Sequence, residues 1–437
     1  MSTITEVKIW GSTIGAVVLE DDQQIASFQY DSDFAQSGIK VAPLTMPLSA
    51  RVYSFPALAQ ESFHGLPGLL ADSLPDRFGN ALIDAWLASQ GRDSNSFNAI
   101  ERLCYTGSRG MGALEFVPAT GPQPANHHLL QVERLVKLAS DILTHRDSLQ
   151  TNFTEATDAE AMKDILRVGT SAGGARAKAV IAWNPKTNEV RSGQTNADKG
   201  FEHWLIKFDG VSNNRDKELA DPMGYGAIEY AYSKMAADGG IEMSESRLFE
   251  ESGRRHFMTR RFDRLAGGGK LHMQSLAAMA HLDFNQAGAH SYEQAFAAMR
   301  RLGLPASATA QMYRRMVFNI LARNQDDHVK NIAFLMDRSG NWSLAPAYDM
   351  TYSYQPSGKW TSSHQMSVNG KCDNFTMDDL QASGKSALLK QGQAKKILNE
   401  IREVISRWRD YADEVGVHPD QRDKIQKTLR LSLKSPA

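Results

Sequence analysis

The chain has 437 residues, 42% hydrophobic and 23% charged, with 49 basic side chains against 50 acidic ones. That length allows two or three folding units, and the charge balance argues against an overall nucleic-acid-binding or membrane-surface protein. Two cysteines, Cys104 and Cys372, exclude a disulfide framework or a cysteine zinc site; no apolar run is long enough to span a bilayer and no leader pattern opens the chain, so the expected location is the cytoplasm, without membrane contact.

Alternating Val7, Ile9, Val17 and Leu19, then Ile25, Phe28 and Tyr30, predict an opening hairpin or meander. Leu66–Gly79 carries turn-forming prolines and glycines before a helix with Leu82, Ile83, Trp86 and Leu87, and the proline-rich 118–126 stretch predicts a linker. Beyond it, two helices are expected, the first carrying Leu130 to Leu143 and the second ending near Arg167. A small-residue loop from Val168 to Lys178 then leads into a strand, Ala179–Trp183, that turns at Asn184-Pro185. Strand alternation over His203–Phe208 sets Leu205 and Lys207 on one face and Trp204, Ile206 and Phe208 on the other. Next come a helix over 227–237 with Glu229 beside its apolar side, and strands at 245–250 and 256–262. A helix over 308–322, striped by Met312, Met316, Val317, Ile320 and Leu321, precedes a strand pair at 331–336 and 342–344 and further helices.

The helix over 308–322 runs into Asp326-Asp327-His328-Val329-Lys330-Asn331. Phosphoryl transfer needs cations against phosphate, metal ligands and a carboxylate facing the acceptor hydroxyl. An aspartate followed by a lysine four residues on and an asparagine five residues on has the spacing of a kinase catalytic loop, and Asp349 follows beyond a hairpin, where kinases keep a second metal carboxylate. Any one of these residues also suits a polar surface loop; the combination is specific. Gly169, Gly173 and Gly174 would let backbone N–H groups approach phosphate, with Lys178 adding charge, although the loop lacks a P-loop ending and also suits a flexible turn. Lys207 either snorkels to solvent or grips phosphates and pairs with Glu229. His328 better suits fixing loop geometry than ligating metal. Among Arg254, Arg255, Arg260, Arg261 and Arg264, the presence of Asp263 favours internal ion pairs over a nucleic-acid patch.

Taken together, the Leu69–Asp76 and Ser171–Lys178 stretches, Arg261-Phe262-Asp263-Arg264, Asp326–Asn331 and Ala345–Asp349 resemble the HipA family, bacterial serine/threonine protein kinases that act as toxins of type II toxin–antitoxin modules. The resemblance implies an α+β, two-lobed, protein-kinase-like fold: a strand-rich N-terminal subdomain over 1–120, the rest of the N-lobe over 129–262, and a helical C-lobe over 263–437. It implies ATP and Mg2+ as cofactors, Asp326 as base, Lys330 at the phosphates or acceptor oxygen, and Asn331 and Asp349 on the metal. Lys207 becomes the ATP-phosphate lysine, with Ser171, Ala172, Gly173, Gly174, Ala175, Lys178, Phe262, Gln286, His328 and Tyr348 around the nucleotide. Ser171, or Thr170 beside it, matches the autophosphorylated position, where added charge would favour ejecting the loop; Arg176 and Ala177 depart from the acidic and amide residues of the best-known branch. Expected partners are a helix-turn-helix, HipB-like antitoxin, operator DNA reached only through it, and a protein substrate such as an aminoacyl-tRNA synthetase. The alternatives are a small-molecule or lipid kinase on the same fold, or a kinase-like corepressor acting with a DNA-binding antitoxin.

Overall fold

The computed structural model describes residues 2–433 apart from 21, 123–128, 145–155, 170–175, 194–198, 212–214, 217–218 and 221–222. The alternating opening segment forms an antiparallel five-stranded sheet in the order Val52–Tyr53, Ser27–Tyr30, Ser12–Leu19, Thr3–Ile9, Leu114–Val117. Val7, Ile9, Val17 and Phe28 point from it into one apolar core. The helix Ala99–Thr106 joins that core, started by a capping box between Asn98 and Glu101.

A second antiparallel sheet runs Ser246–Glu251, Arg254–Arg260, Glu202–Lys207, Lys178–Trp183, Val190–Ser192. One face, with Trp204 and Ile206 inward, packs on helices Arg77–Ser89, Val132–Thr144 and Ala156–Val168. As the alternation predicted, Leu205 and Lys207 lie on the other face, and that side looks into the cleft between the lobes. Helix Arg77–Ser89 belongs by sequence to the 1–120 segment yet buries Phe78, Leu82 and Ile83 in this second core, so the N-terminal segment and the N-lobe share apolar packing.

The third and largest core belongs to the C-terminal lobe. Met312, Met316, Val317, Ile320 and Leu321 of helix Ala306–Ala322 are all at most 1% exposed. Burial of each such side chain contributes roughly 1.5–3 kcal/mol before entropy is counted. Helix Gln393–Ser406 packs on it with Ile397, Leu398, Ile401 and Ile405, and helix Tyr225–Asp238 from the N-lobe side contributes Ile228, Tyr232 and Met235. This lobe is mostly helical, with a short parallel pair, His290–Ser291 and Met366–Ser367, and a three-stranded sheet in which the predicted pair Ala333–Met336 and Trp342–Leu344 is joined by His272–Ser275. The linker between lobes is pinned electrostatically. Asp263, fully buried, takes Arg261 at 2.7 Å and Arg264 at 2.8 Å, and accepts the backbone N–H of Gly112 from the N-terminal segment. The arginine-rich stretch is therefore an internal ion-pair cluster, as the position of Asp263 suggested.

Candidate active site

Helix Ala306–Ala322 stops where Arg323 adopts a left-handed backbone, φ 59°, and the chain turns into the Asp326–Asn331 loop. The last carbonyls of a helix lack partners within it; here Tyr232 Oη donates to Ala322 O and Arg430 N to Leu321 O, so the helix end is held by two distant segments. The two adjacent aspartates then diverge. Asp327 is buried: its Oδ2 accepts from Tyr292 Oη at 2.7 Å and His364 Nδ1 at 2.9 Å, and its Oδ1 from Gln365 N at 2.9 Å. Burial raises its carboxyl, but His364, Tyr292 and Gln365 outweigh that and hold it below the ordinary value. Asp326 is half-buried, and Trp360 Nε1 donates to its Oδ1 at 2.7 Å. The structure thus separates a buried, anchoring carboxylate, Asp327, from a partly exposed one, Asp326.

Asn331 sits in a short 3-10 turn and donates its amide N–H to Asp326 O at 2.9 Å, which leaves its amide oxygen as an acceptor. His328 opens that turn, accepts Asn331 N on its carbonyl, and keeps its ring 3.9 Å from Asp326 Oδ1. Lys330 extends over the Phe284 ring at 4.7 Å, and its carbonyl accepts from Tyr348 Oη at 2.7 Å. That bond ties the loop to the segment carrying Asp349, whose own backbone is left-handed, φ 52°, a conformation aspartate tolerates.

Across the cleft, Lys207 joins the lobes. Its Nζ lies 2.6 Å from Glu229 of helix Tyr225–Asp238 and pairs directly with Asp349. Burial would lower the Lys207 ammonium, but Asp349 and Glu229 hold it above its ordinary value; burial would raise the Asp349 carboxyl, but Lys207, then Lys178 and Arg176, hold it below. Lys178 is the register partner of Lys207 on the neighbouring strand. Its Nζ is 2.8 Å from Asp76, with both side chains at most 3% exposed, and Asp76 Oδ1 also accepts Gly79 N as the cap of helix Arg77–Ser89. Burial outweighs the favourable charge of Lys178 and raises the Asp76 carboxyl. Arg176 is buried over the Tyr225 ring at 3.9 Å.

Phe262 and Tyr348 face each other with ring centroids 5.9 Å apart, forming an apolar shelf beside Leu335 and Ala345. Gln286 stands further out, in an exposed turn where it donates to Asp283. Thr170, Ser171, Ala172, Gly173, Gly174 and Ala175 lie outside the described residues. Of the sequence candidates described, His328, Asn331, Tyr348 and Asp349 border one cavity; Asp326 and Lys330 stand on the same loop, Lys207 pairs with Asp349, Lys178 lies beside Lys207, and Phe262 lies against Tyr348. Sequence reasoning missed Trp360, His364 and Tyr292, which reach the loop from distant segments; Asp76 stood in a quoted motif, and no local signal marked its partner.

The donor set suits a hard divalent cation. Asp349 and Asn331 border the same small cavity of about 20 Å³, together with Asn319, Asn324 and Arg315. A carboxylate and an amide oxygen are the few-ligand, oxygen-only set with which Mg2+ is held while it keeps its waters.

Among the described residues, no helix is long and apolar enough to cross a membrane. The HipA N-terminal domain matches residues 5–117 and the HipA-like C-terminal domain residues 170–408. The candidate kinase Y4dM of Sinorhizobium fredii is 26% identical over 219 residues, 47% of this chain and 50% of that protein, so the chain aligns with only half the length of that relative. The HipA toxin of Shewanella oneidensis, solved with HipB and operator DNA, superposes with a TM-score of 0.66 at 16% identity, covering 97% of this chain and 94% of that one. At that identity the likeness is one of fold, and it extends through both lobes and the N-terminal segment. With the C-terminal family domain spanning more than half of the sequence, the chain belongs to the HipA family.

Proposed function

We propose that the chain is an ATP- and Mg2+-dependent serine/threonine protein kinase, the toxin of a toxin–antitoxin module. One observation carries the reading: Lys207 bridges Glu229 of one lobe and Asp349 of the other, and Asp349 borders one cavity with Asn331, on the loop of Asp326 and Lys330. Lys207, with Lys178 beside it, meets the ATP phosphates, and the Phe262–Tyr348 shelf receives the base, with Gln286 and His328 at the rim. Asn331 and Asp349 would hold Mg2+, which when bound would neutralise charge at the phosphates. Asp326, kept in one orientation by Trp360, accepts the proton of the acceptor hydroxyl, while Lys330 offsets charge at the transferred group.

The functional units are the segments 1–120, 129–262 and 263–437. Autophosphorylation falls on Ser171, with Thr170 the neighbouring acceptor, and the protein target is one whose loss stops translation, such as an aminoacyl-tRNA synthetase. The Shewanella oneidensis HipA, solved with HipB and operator DNA, supports a helix-turn-helix antitoxin as partner, with DNA contacted through it; the near-zero net charge of −1 agrees. The test is transfer of labelled phosphate from γ-labelled ATP into the protein fraction. The wild type incorporates label with Mg2+, and Asp326→Asn, folded by circular dichroism, does not. Label retained by Asp326→Asn would refute the assignment of the base.

A further inference from the structure

We propose that the segment Thr428–Arg430 is a positioning element of the phosphoryl-transfer site, with Arg430 acting through His364 on Asp327 to hold the loop that presents Asp326. The inference rests on the reading of Asp326 as the base. Residues 428–430 lie far along the chain from that loop and follow the helix Pro419–Gln426, yet they run against the loop's root. Arg430 N donates to Leu321 O, filling one of the unpartnered carbonyls at the end of helix Ala306–Ala322. Thr428 O accepts from Arg323 Nε at 2.7 Å, and Thr428 Oγ1 lies 3.1 Å from Tyr352 Oη. Leu429, Leu431 and Leu433 pack on the C-lobe core and keep the segment in place.

The side chain of Arg430 extends this contact to the loop itself. Its Nη1 lies 3.0 Å from His364 Nε2, and its Nη2 pairs with Asp373. A guanidinium can only donate, so His364 Nε2 must be the accepting nitrogen and the ring proton must sit on Nδ1. That proton points at Asp327 Oδ2, 2.9 Å away. Arg430 therefore selects the tautomer that lets His364 donate to Asp327. With the other tautomer, a lone pair would face the carboxylate and the bond would be lost. His364 is fully buried and Asp327 nearly so, which makes the loss costly and the selection tight. His364 and Trp360 belong to one short segment, closed by Gln365, whose N–H donates to Asp327 and whose side chain donates to Trp360 O. A shift of His364 is thereby passed to Trp360 and so to Asp326. The logic is that of a catalytic imidazole oriented by a third group, with the oriented object here a loop carboxylate.

The experiment measures the initial autophosphorylation rate and the affinity for a fluorescent ATP analogue in a cycle of Arg430→Met, His364→Asn and the double variant. The asparagine amide can donate to Asp327 without a tautomer choice, so it makes Arg430 dispensable. Arg430→Met should lower the rate about 10- to 100-fold with nucleotide affinity within about twofold, and the double variant should be no slower than His364→Asn alone. Equal cost of Arg430→Met in both backgrounds, or a wild-type rate for Arg430→Met, overturns the proposal. Imidazole 15N spectra give a readout independent of phosphate transfer: His364 is a single Nδ1–H tautomer in the wild type and a mixture in Arg430→Met. An unchanged tautomer refutes the role of Arg430, whereas the expected spectra with no transfer even in the wild type would refute only the kinase reading. Should Arg430→Met fail to fold, Arg430→Lys, which keeps charge but loses the fork spanning His364 and Asp373, replaces it in the same cycle and is judged by the same outcomes.

Discussion

Replacing Lys207 by methionine removes one ammonium from between two carboxylates and keeps most of the side chain's volume. The carboxylates differ in exposure: Glu229 has 2% of its side chain exposed and Asp349 29%. Breaking a buried pair by deleting one partner costs about 3–5 kcal/mol, because a buried charge is left uncompensated. The half-open Asp349 adds no more than about 1 kcal/mol, since solvent screens it. The expected loss at neutral pH is thus about 3–5 kcal/mol, set by Glu229. Its pH dependence has a definite sign. Lys207 is held above its ordinary value, so its contribution is complete below about pH 10 and fades as pH rises beyond; Asp349 is held below its own, so its share is present above about pH 4 and is lost as pH falls through that range. The difference between wild type and Lys207→Met should be flat from about pH 6 to 8 and narrow toward pH 4. Urea midpoints measured across that range test it. The double variant Lys207→Met/Glu229→Leu should recover most of the stability while phosphate transfer stays lost, separating the structural role of the pair from its phosphate role. A deficit below about 1 kcal/mol, or one that widens toward pH 4, would refute the reasoning from burial.

Trp360→Phe deletes the indole N–H held by Asp326 Oδ1 and should slow phosphate transfer about tenfold at unchanged nucleotide affinity, read from single-turnover rates. Asp76→Asn keeps the helix cap, because asparagine caps as well as aspartate; since burial outweighs Lys178 and raises the Asp76 carboxyl, the neutral amide should unfold within about 1 kcal/mol of the wild type. Asp263→Asn leaves Arg261 and Arg264 together without their carboxylate and should cost about 3–5 kcal/mol by denaturant titration. Because burial is outweighed by the two arginines and Asp263 is held far below the ordinary carboxylate range, wild-type stability from this cluster should persist at pH 4, where that from ordinary surface carboxylates is already falling.

Elements with a strong local period were legible in the sequence. The five-residue stripe of Ala306–Ala322 is buried as predicted, and the alternation of Glu202–Lys207 appears with the predicted division of its faces. Local pattern is sufficient there because a single face of the element decides its burial. Leu114–Val117 was not legible: four residues give two inward positions, Leu114 and Phe116, too few to distinguish alternation from chance, and its place beside Thr3–Ile9 depends on a pairing across most of the N-terminal segment. The same limit holds at the site. Asp326 and Asp327 are chemically identical neighbours, and what separates them is Tyr292, His364 and Gln365 closing on one and Trp360 on the other. Spacing to Lys330 and Asn331 singled out Asp326, but only tertiary packing shows Asp327 to be an anchor.

The N-terminal segment illustrates why long-range pairing matters to the chemistry and not only to the fold. From one short stretch, Asp72 accepts the N–H and hydroxyl of Ser275, the cap of helix Leu276–Ala280 in the C-lobe, while Asp76 reaches Lys178 in the N-lobe sheet. A third contact, Gly112 N to Asp263, lands on the linker between them. A body fixed to both lobes and to their linker restricts how far the lobes can swing, because each of these bonds is buried or half-buried and water cannot replace it cheaply. Further bonds tie the N-terminal segment to the C-lobe: Gly68 N donates to His281 Nε2, Ser62 Oγ to Asp283 and Trp342 Nε1 to Lys40 O. Lobe motion that keeps these bonds carries the N-terminal segment with the C-lobe and is opposed by the Asp76–Lys178 pair, which sits at the register position beside Lys207.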